Sequence, residues 1–460
     1  MRKHLLSLAV IAISATSALA MTDGELHAVL EKRFKDDRTG ACVAAAVIEK
    51  ARTSKAYVCA KDERPYDEHT AFEIGSVSKP MTAALLAELI ARGEISLDDP
   101  VIKLLPQGAT VPTFNGQRIT IRHIVTHTSG LPSFPPQWQT TGAGNPYGRI
   151  TERRLLTTLA ATRLMRPPGA RWEYSNFAMM VLSYALSRHT GKDFETLLRE
   201  RLLAPLGMNE TYVATPPPRV HLAQGHYGNG SRAEPWSFQP EMGGVGGVRS
   251  TLPDMVRFVE GQLGTRASAI TPALARTQEK LVSIGGQTMA MCWSLLPMQN
   301  GQTALTHAGN TGGFSSFVAV DPAAGSGVVL LSDTSLFSVG SFGSLGLHLL
   351  DPTVALEPPR RTVAADPKLI DALAGSYHLP IGIGMTLRRK GDALTVQAEA
   401  QPEFVMGYDS AGDFYPLAFD ALLKPRRRDD GSYAFIWIQG GAAFEAWRSK
   451  EAPAKAAGGK

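Results

Sequence analysis

The chain has 460 residues, 44% of them hydrophobic and 19% charged, with a formal net charge of +5. That apolar content excludes a disordered chain, and the length implies two or three domains. The basic residues are scattered apart from Lys424 to Arg428 and form no face interleaved with stacking aromatics, which argues against a nucleic-acid partner.

In chain order, residues 1–20 read as a secretory signal. Arg2 and Lys3 form its positive end, Leu5 to Ile13 its apolar stretch, and Ala18-Leu19-Ala20 a small-x-small cleavage site. No later run reaches the ~18 apolar residues a membrane span needs, so the expectation is an exported chain, periplasmic or secreted, with no span once mature. Residues 24–35 pattern as a short amphipathic helix. Ala41 to Ile48 and Ala56 to Ala60 then read as a hairpin whose strands bring Cys42 across from Cys59, and export permits these two to bond. Three cysteines are too few for a disulfide scaffold and wrongly spaced for zinc. Cys292, beside Trp293, reads as a core residue.

Ser76-Val-Ser-Lys79 opens the run Met81 to Ile90, too long and alanine-rich for a strand and closed by Gly93. Ala178 to Arg188 and Phe194 to Leu203 carry helical spacing, and Thr251-Leu-Pro-Asp254 has the form of a capping box ahead of a helix reaching Leu263. Phe314 to Val320 and Val328 to Ser332 read as strands. Helix-rich material between terminal strands predicts a mixed α+β fold, one sheet with helices against it, over residues 21–350. Residues 351–367, rich in proline and without periodicity, read as a linker. Residues 368–450 alternate short strands and turns at 385–387, 394–397, 414–415, 433–438 and 443–447, which predicts a small antiparallel β-barrel domain.

A lone Ser-x-x-Lys is weak evidence, expected about once or twice by chance in a chain this long. It gains weight from two partners downstream, Tyr174-Ser-Asn176 and His307-Ala-Gly309. Serine and lysine three apart on a helix share a face, so Lys79 reaches the Ser76 hydroxyl, which needs a base before it attacks. Either Lys79, desolvated, or Tyr174, near positive charge, serves as that base. If 174–176 is extended, the Asn176 amide points the same way and holds both Lys79 and a substrate amide. Protonated His307 is expected to grip a substrate carboxylate, giving a KM that rises between about pH 6 and 8. Gly309 leaves room for a substrate backbone, and the N–H groups of Ser76 and Asn310 are oxyanion-hole candidates. His123 and His127 have i, i+4 spacing but no evident third metal ligand, so no metal or cofactor is expected. The run Gly243 to Gly247 lacks a phosphate-loop ending and reads as a loop in close approach to the site. Phe134 and Trp138 either line a substrate entrance or pack a surface loop.

With these motifs, together with Ile124-Val-Thr-His-Thr-Ser-Gly-Leu-Pro132, Pro205-Leu-Gly-Met208 and Gly243 to Thr251, the chain resembles the serine β-lactamase and penicillin-recognising D,D-peptidase superfamily. It is most similar to the class C-like branch, which also holds D-aminopeptidases and esterases. The resemblance spans about residues 24–350, and residues after 366 are similar to the barrel often appended to these enzymes. It implies a β-lactamase/transpeptidase-like antiparallel sheet flanked by helices, with Ser76 acylated, Lys79 and Tyr174 moving protons, and Asn176, His307 and Gly309 binding substrate. The implied substrates are β-lactams, D-alanine-terminated peptides or esters, with the cell wall as their source. Alternatives on the same machinery are an esterase or D-amino-acid amidase, and a penicillin-binding sensor that acylates without turnover. One departure stands out: β-lactamases of this branch usually carry lysine where this chain has His307.

Overall fold

The computed structural model describes residues 20–449 except 36, 38, 51, 62–63, 136–137, 139–144, 228–229, 337–341, 357–361, 381–382, 400–402, 418–420 and 440–441. The expected secretory signal, save Ala20, lies outside the described residues.

An eight-stranded antiparallel sheet organises the chain. Its strands run in the order Thr53–Cys59, Cys42–Ile48, Ser326–Ser332, Ser315–Asp321, Thr303–Asn310, Ser294–Pro297, Gln287–Met289 and Val282–Ile284. Every residue of Cys42–Ile48 is buried, because both faces of the sheet are covered, and a strand buried on two sides reads as a continuous apolar run. Alternation divides the strands between two cores. Val43, Ala45, Val47, Ala319, Val328 and Leu330 pack with Leu26, Leu30 and Phe34 of the helix Asp23–Phe34 and with the helix Gly343–Leu350. Ala44, Ala46, Val318, Val320, Val329 and Leu331 join the larger core beneath the helices on the opposite face.

The expected hairpin forms with Cys42 directly opposite Cys59, and the two are joined by a disulfide. The helix Asn176–Thr190 starts at Ser175, whose hydroxyl accepts from the Ala178 N–H, and stops at Gly191 in the left-handed conformation. Thr251 likewise caps Leu252–Leu263 by accepting from the Asp254 N–H. Toward the C-terminus, eight strands between Gly375 and Arg448 close into an antiparallel barrel around Leu387, Leu394, Val396, Phe435 and Trp437. No helix among the described residues is long and apolar enough to cross a membrane.

Candidate active site

Ser76 lies in a 3-10 turn, Gly75–Val77, that runs directly into the helix Ser78–Ala91. The helix is the centre of the larger core, which is why Met81, Ala83, Leu85, Leu86 and Leu89 are wholly buried. Two hydroxyls fix the turn through three hydrogen bonds. Ser78 donates to the Gly75 carbonyl at 2.7 Å and accepts from the Val248 N–H at 3.1 Å, while Ser316 donates to the Ile74 carbonyl at 2.7 Å.

The third motif stands against this turn. Strand Ser294–Pro297 pairs with Thr303–Thr306 only, so residues 307–310 leave an edge facing Ser76. The 311–314 turn closes with a Thr311 N–H to Phe314 carbonyl bond, so the Asn310–Ser315 pair falls in the non-hydrogen-bonded phase of the ladder. The Asn310 N–H therefore points away from its ladder partner, toward the open edge beside Ser76. Contact is tight: a Cβ on Gly75 would lie 2.7 Å from Asn310 N, and one on Gly309 would lie 2.0 Å from Ile74 O and 3.0 Å from Ser76 N. Glycine at 309 thus makes room for the turn that carries Ser76. The expectation that it leaves space for a substrate backbone is corrected, because protein fills that space.

Lys79 is fully buried; its Nζ is 2.8 Å from Ser76 Oγ, 2.7 Å from the Val245 carbonyl and 5.0 Å from the centre of the Tyr174 ring. Burial pushes its proton affinity down to about 7. The glycine-rich loop supplies the Val245 carbonyl, and Thr82 on the same helix donates to the Gly244 carbonyl at 2.8 Å. The loop comes this close because a Cβ on Gly244 would sit 2.7 Å from both Thr82 Oγ1 and Phe194 Cε2.

Tyr174 hydrogen-bonds Ser76, yet burial raises its phenol well above the ordinary range. The expectation that nearby positive charge makes it a better base is thus corrected for the resting site. The Ile124 to Pro132 segment holds the tyrosine in place. The His127 carbonyl accepts from Glu173 N–H at 2.7 Å, His127 Nδ1 accepts from Ser175 N–H at 3.3 Å, and the His127 ring lies 4.3 Å from the Tyr174 ring centre. His127 adopts φ 55° beyond the end of the helix Ile121–Val125, so it shares no helix face with His123.

Two expectations change. Residues 174–176 are not extended throughout, since Asn176 begins a helix; its Oδ1 is buried without a hydrogen-bond partner, and Lys79 donates to Ser76 and Val245 instead. Burial, reinforced by Lys79, pushes His307 down to about 3, and its Nδ1 donates to the Ala308 carbonyl at 2.9 Å. Its Nε2 is then an acceptor, and the ring is neutral across pH 6 to 8. Trp138 is 2% exposed, donates to Thr158 Oγ1 at 2.9 Å and packs edge-on against Phe134 and Phe177, so it anchors a loop in the core.

Some features of the site carried no sequence signal: the Val245 carbonyl, the Ser316 hydroxyl and the His127 ring against Tyr174. His127 sits in a segment already singled out, but its left-handed backbone is invisible in a histidine codeword.

The beta-lactamase family model matches residues 28–339. A D-alanyl-D-alanine-carboxypeptidase/endopeptidase of Escherichia coli (strain K12), AmpH, is 30% identical over 266 residues, 54% of this chain and 67% of the relative. Esterase EstB of Burkholderia gladioli is 28% identical over 339 residues, 64% of this chain and 84% of the relative. The solved beta-lactamase/D-alanine carboxypeptidase of Yersinia pestis, complexed with citrate, superposes with a TM-score of 0.57 at 25% identity, covering 67% of this chain and 92% of that one.

Proposed function

The chain belongs to the beta-lactamase family of serine hydrolases, and from that premise we propose that it is an exported enzyme that forms an acyl-enzyme on Ser76 from D-amino-acid peptides or β-lactams. The observation that carries this reading is the buried Lys79 amine, 2.8 Å from Ser76 Oγ, with its proton affinity lowered to about 7. Near neutral pH, about half the molecules then hold a free amine able to accept the serine proton as Oγ bonds to the substrate carbonyl carbon. The developing oxyanion takes the Ser76 and Asn310 N–H groups. The Tyr174 phenol, protonated in the resting site, donates its proton to the leaving group as it recovers one from the Lys79 ammonium. Water then attacks the ester by the reverse path. Asn176, half-buried, is the residue assigned to orient a substrate amide.

A second reading, an esterase, is favoured by one observation: His307 offers a neutral acceptor where a substrate carboxylate would want a cation. An ester needs no such cation. Purified protein is to be assayed with a chromogenic cephalosporin, a D-alanyl-D-alanine peptide and a short-chain aryl ester, in wild type and Ser76→Ala. Turnover of at least one substrate, abolished in the variant, is expected; equal rates in the two proteins would refute the acyl-enzyme on Ser76. A single burst without turnover would replace the hydrolase with an acylated sensor.

A further inference from the structure

Three residues upstream of Ser76, the Glu73 carboxylate is buried and paired with the Arg249 guanidinium at 3.1 Å, the side chains being 4% and 11% exposed. Burial raises the Glu73 carboxyl, and Arg249 opposes that rise. A buried pair of this kind is weak evidence for stability, because desolvation offsets much of the attraction. Its contacts show what it holds. Glu73 Oε1 also accepts from the Trp236 N–H at 2.9 Å, and Arg249 donates to the Trp236 carbonyl. Both backbone polar groups of one residue are thus gripped by the pair.

That residue stands beside the third motif. The Trp236 indole edge lies against the turn that follows Asn310, where a Cβ on Gly312 would sit 3.0 Å from Trp236 Nε1. Tyr147 tilts against it with ring centres 5.4 Å apart and stacks on Phe238 at 4.7 Å. The Tyr147 phenol is near enough to contribute to the raised proton affinity of Tyr174. Trp236 is half-buried, so part of its surface remains open for a partner.

We infer that the Glu73–Arg249 pair acts on the reaction through Trp236, fixing its half-buried indole, backed by the buried Tyr147 ring, as an aromatic wall that selects acyl groups carrying a flat aromatic ring. This rests on the acyl-enzyme reading above. Glu73 and Arg249 are positioning residues, and Trp236 is the residue that meets the acyl group. Aromatic faces held rigid lose little freedom on binding and favour ring partners over short alkyl groups.

The test compares 4-nitrophenyl phenylacetate with 4-nitrophenyl acetate, which share a leaving group and differ on the acyl side only. The ratio of their kcat/KM values is measured for wild type, Trp236→Ala, Trp236→Phe and Glu73→Gln, with mass spectrometry of the acylated serine. In Trp236→Ala the ratio is expected to fall about tenfold, mainly through KM for the phenylacetyl ester, and Trp236→Phe should recover part of it. Glu73→Gln is expected to move the ratio in the same direction. A ratio within twofold of wild type in Trp236→Ala, with Ser76 labelled, overturns the selective wall. A shift in Trp236→Ala but none in folded Glu73→Gln overturns the positioning pair. Absence of label on Ser76 in wild type overturns the proposed function and this inference with it.

Discussion

Replacing Lys79 with methionine tests whether the site stores an unfavourable amine. Lys79 binds its proton at about 7 in the folded chain instead of at 10.5. Between those values the unfolded chain holds more protons, so wild-type stability climbs with pH across that window and is flat below it. At roughly 1.36 kcal/mol per pH unit, this one group lowers stability by about 4 kcal/mol at pH 7 and by about 1 kcal/mol at pH 9.5. Lys79→Met removes that cost but leaves the Val245 carbonyl and the Ser76 hydroxyl without the amine, a loss of about 1–3 kcal/mol. The variant should therefore be inactive yet more stable than wild type at pH 7, with an advantage that shrinks or reverses by pH 9.5. Urea titrations of both proteins at pH 6, 7, 8.5 and 9.5 read this directly, and the gap between them should change by about 3 kcal/mol from pH 7 to 9.5. Parallel stability curves over that range would refute the reasoning, since they would mean that Lys79 carries an ordinary proton affinity.

The neutral state of His307, pushed down to about 3, predicts that KM for a carboxylate-bearing substrate stays flat from pH 6 to 8. His307→Lys should lower that KM severalfold while changing KM for an uncharged ester less; a wild-type KM that rises across this range would restore a protonated imidazole. In Gly244→Ala the new methyl would meet Thr82 and Phe194 at 2.7 Å. Overpacking of this kind costs about 1–3 kcal/mol, so thermal melting should fall, and kcat should fall with it because the Val245 carbonyl moves from Lys79.

Much of the main fold is legible in local patterns. Thr251 with Asp254 marks a helix start and the glycines at 191, 207 and 264 mark helix ends through caps that need no tertiary partner, whereas the start at Ser175 is hidden in a stretch that reads as extended. The barrel is less legible. Gly375–His378, Glu403–Tyr408 and Leu422–Arg427 are strands, but they are short or charged, and Lys424-Pro-Arg-Arg looks like a loop until it is paired along its length with Tyr433–Gln439. Within the site, residue types and order pick out Ser76, Lys79, Tyr174 and His307. What a string of residues does not carry is burial, so a histidine that looks like a carboxylate grip becomes a neutral acceptor, and a lysine becomes a candidate base.

Burial is also the variable that links packing to rate in this molecule. The largest influence on Lys79 is desolvation, not a neighbouring cation. The amine stays dry because Gly243 to Gly247 presses its carbonyls onto the helix, and the loop gets that close because glycines leave no Cβ between it and Phe194, Phe238 and Thr82. A second ammonium at position 307 would lower Lys79 further by repulsion, at the expense of one more buried charge. With histidine there, already neutral, the chain relies on exclusion of water alone. The glycine-rich loop thereby sets the pH at which the Lys79 amine is free to accept a proton.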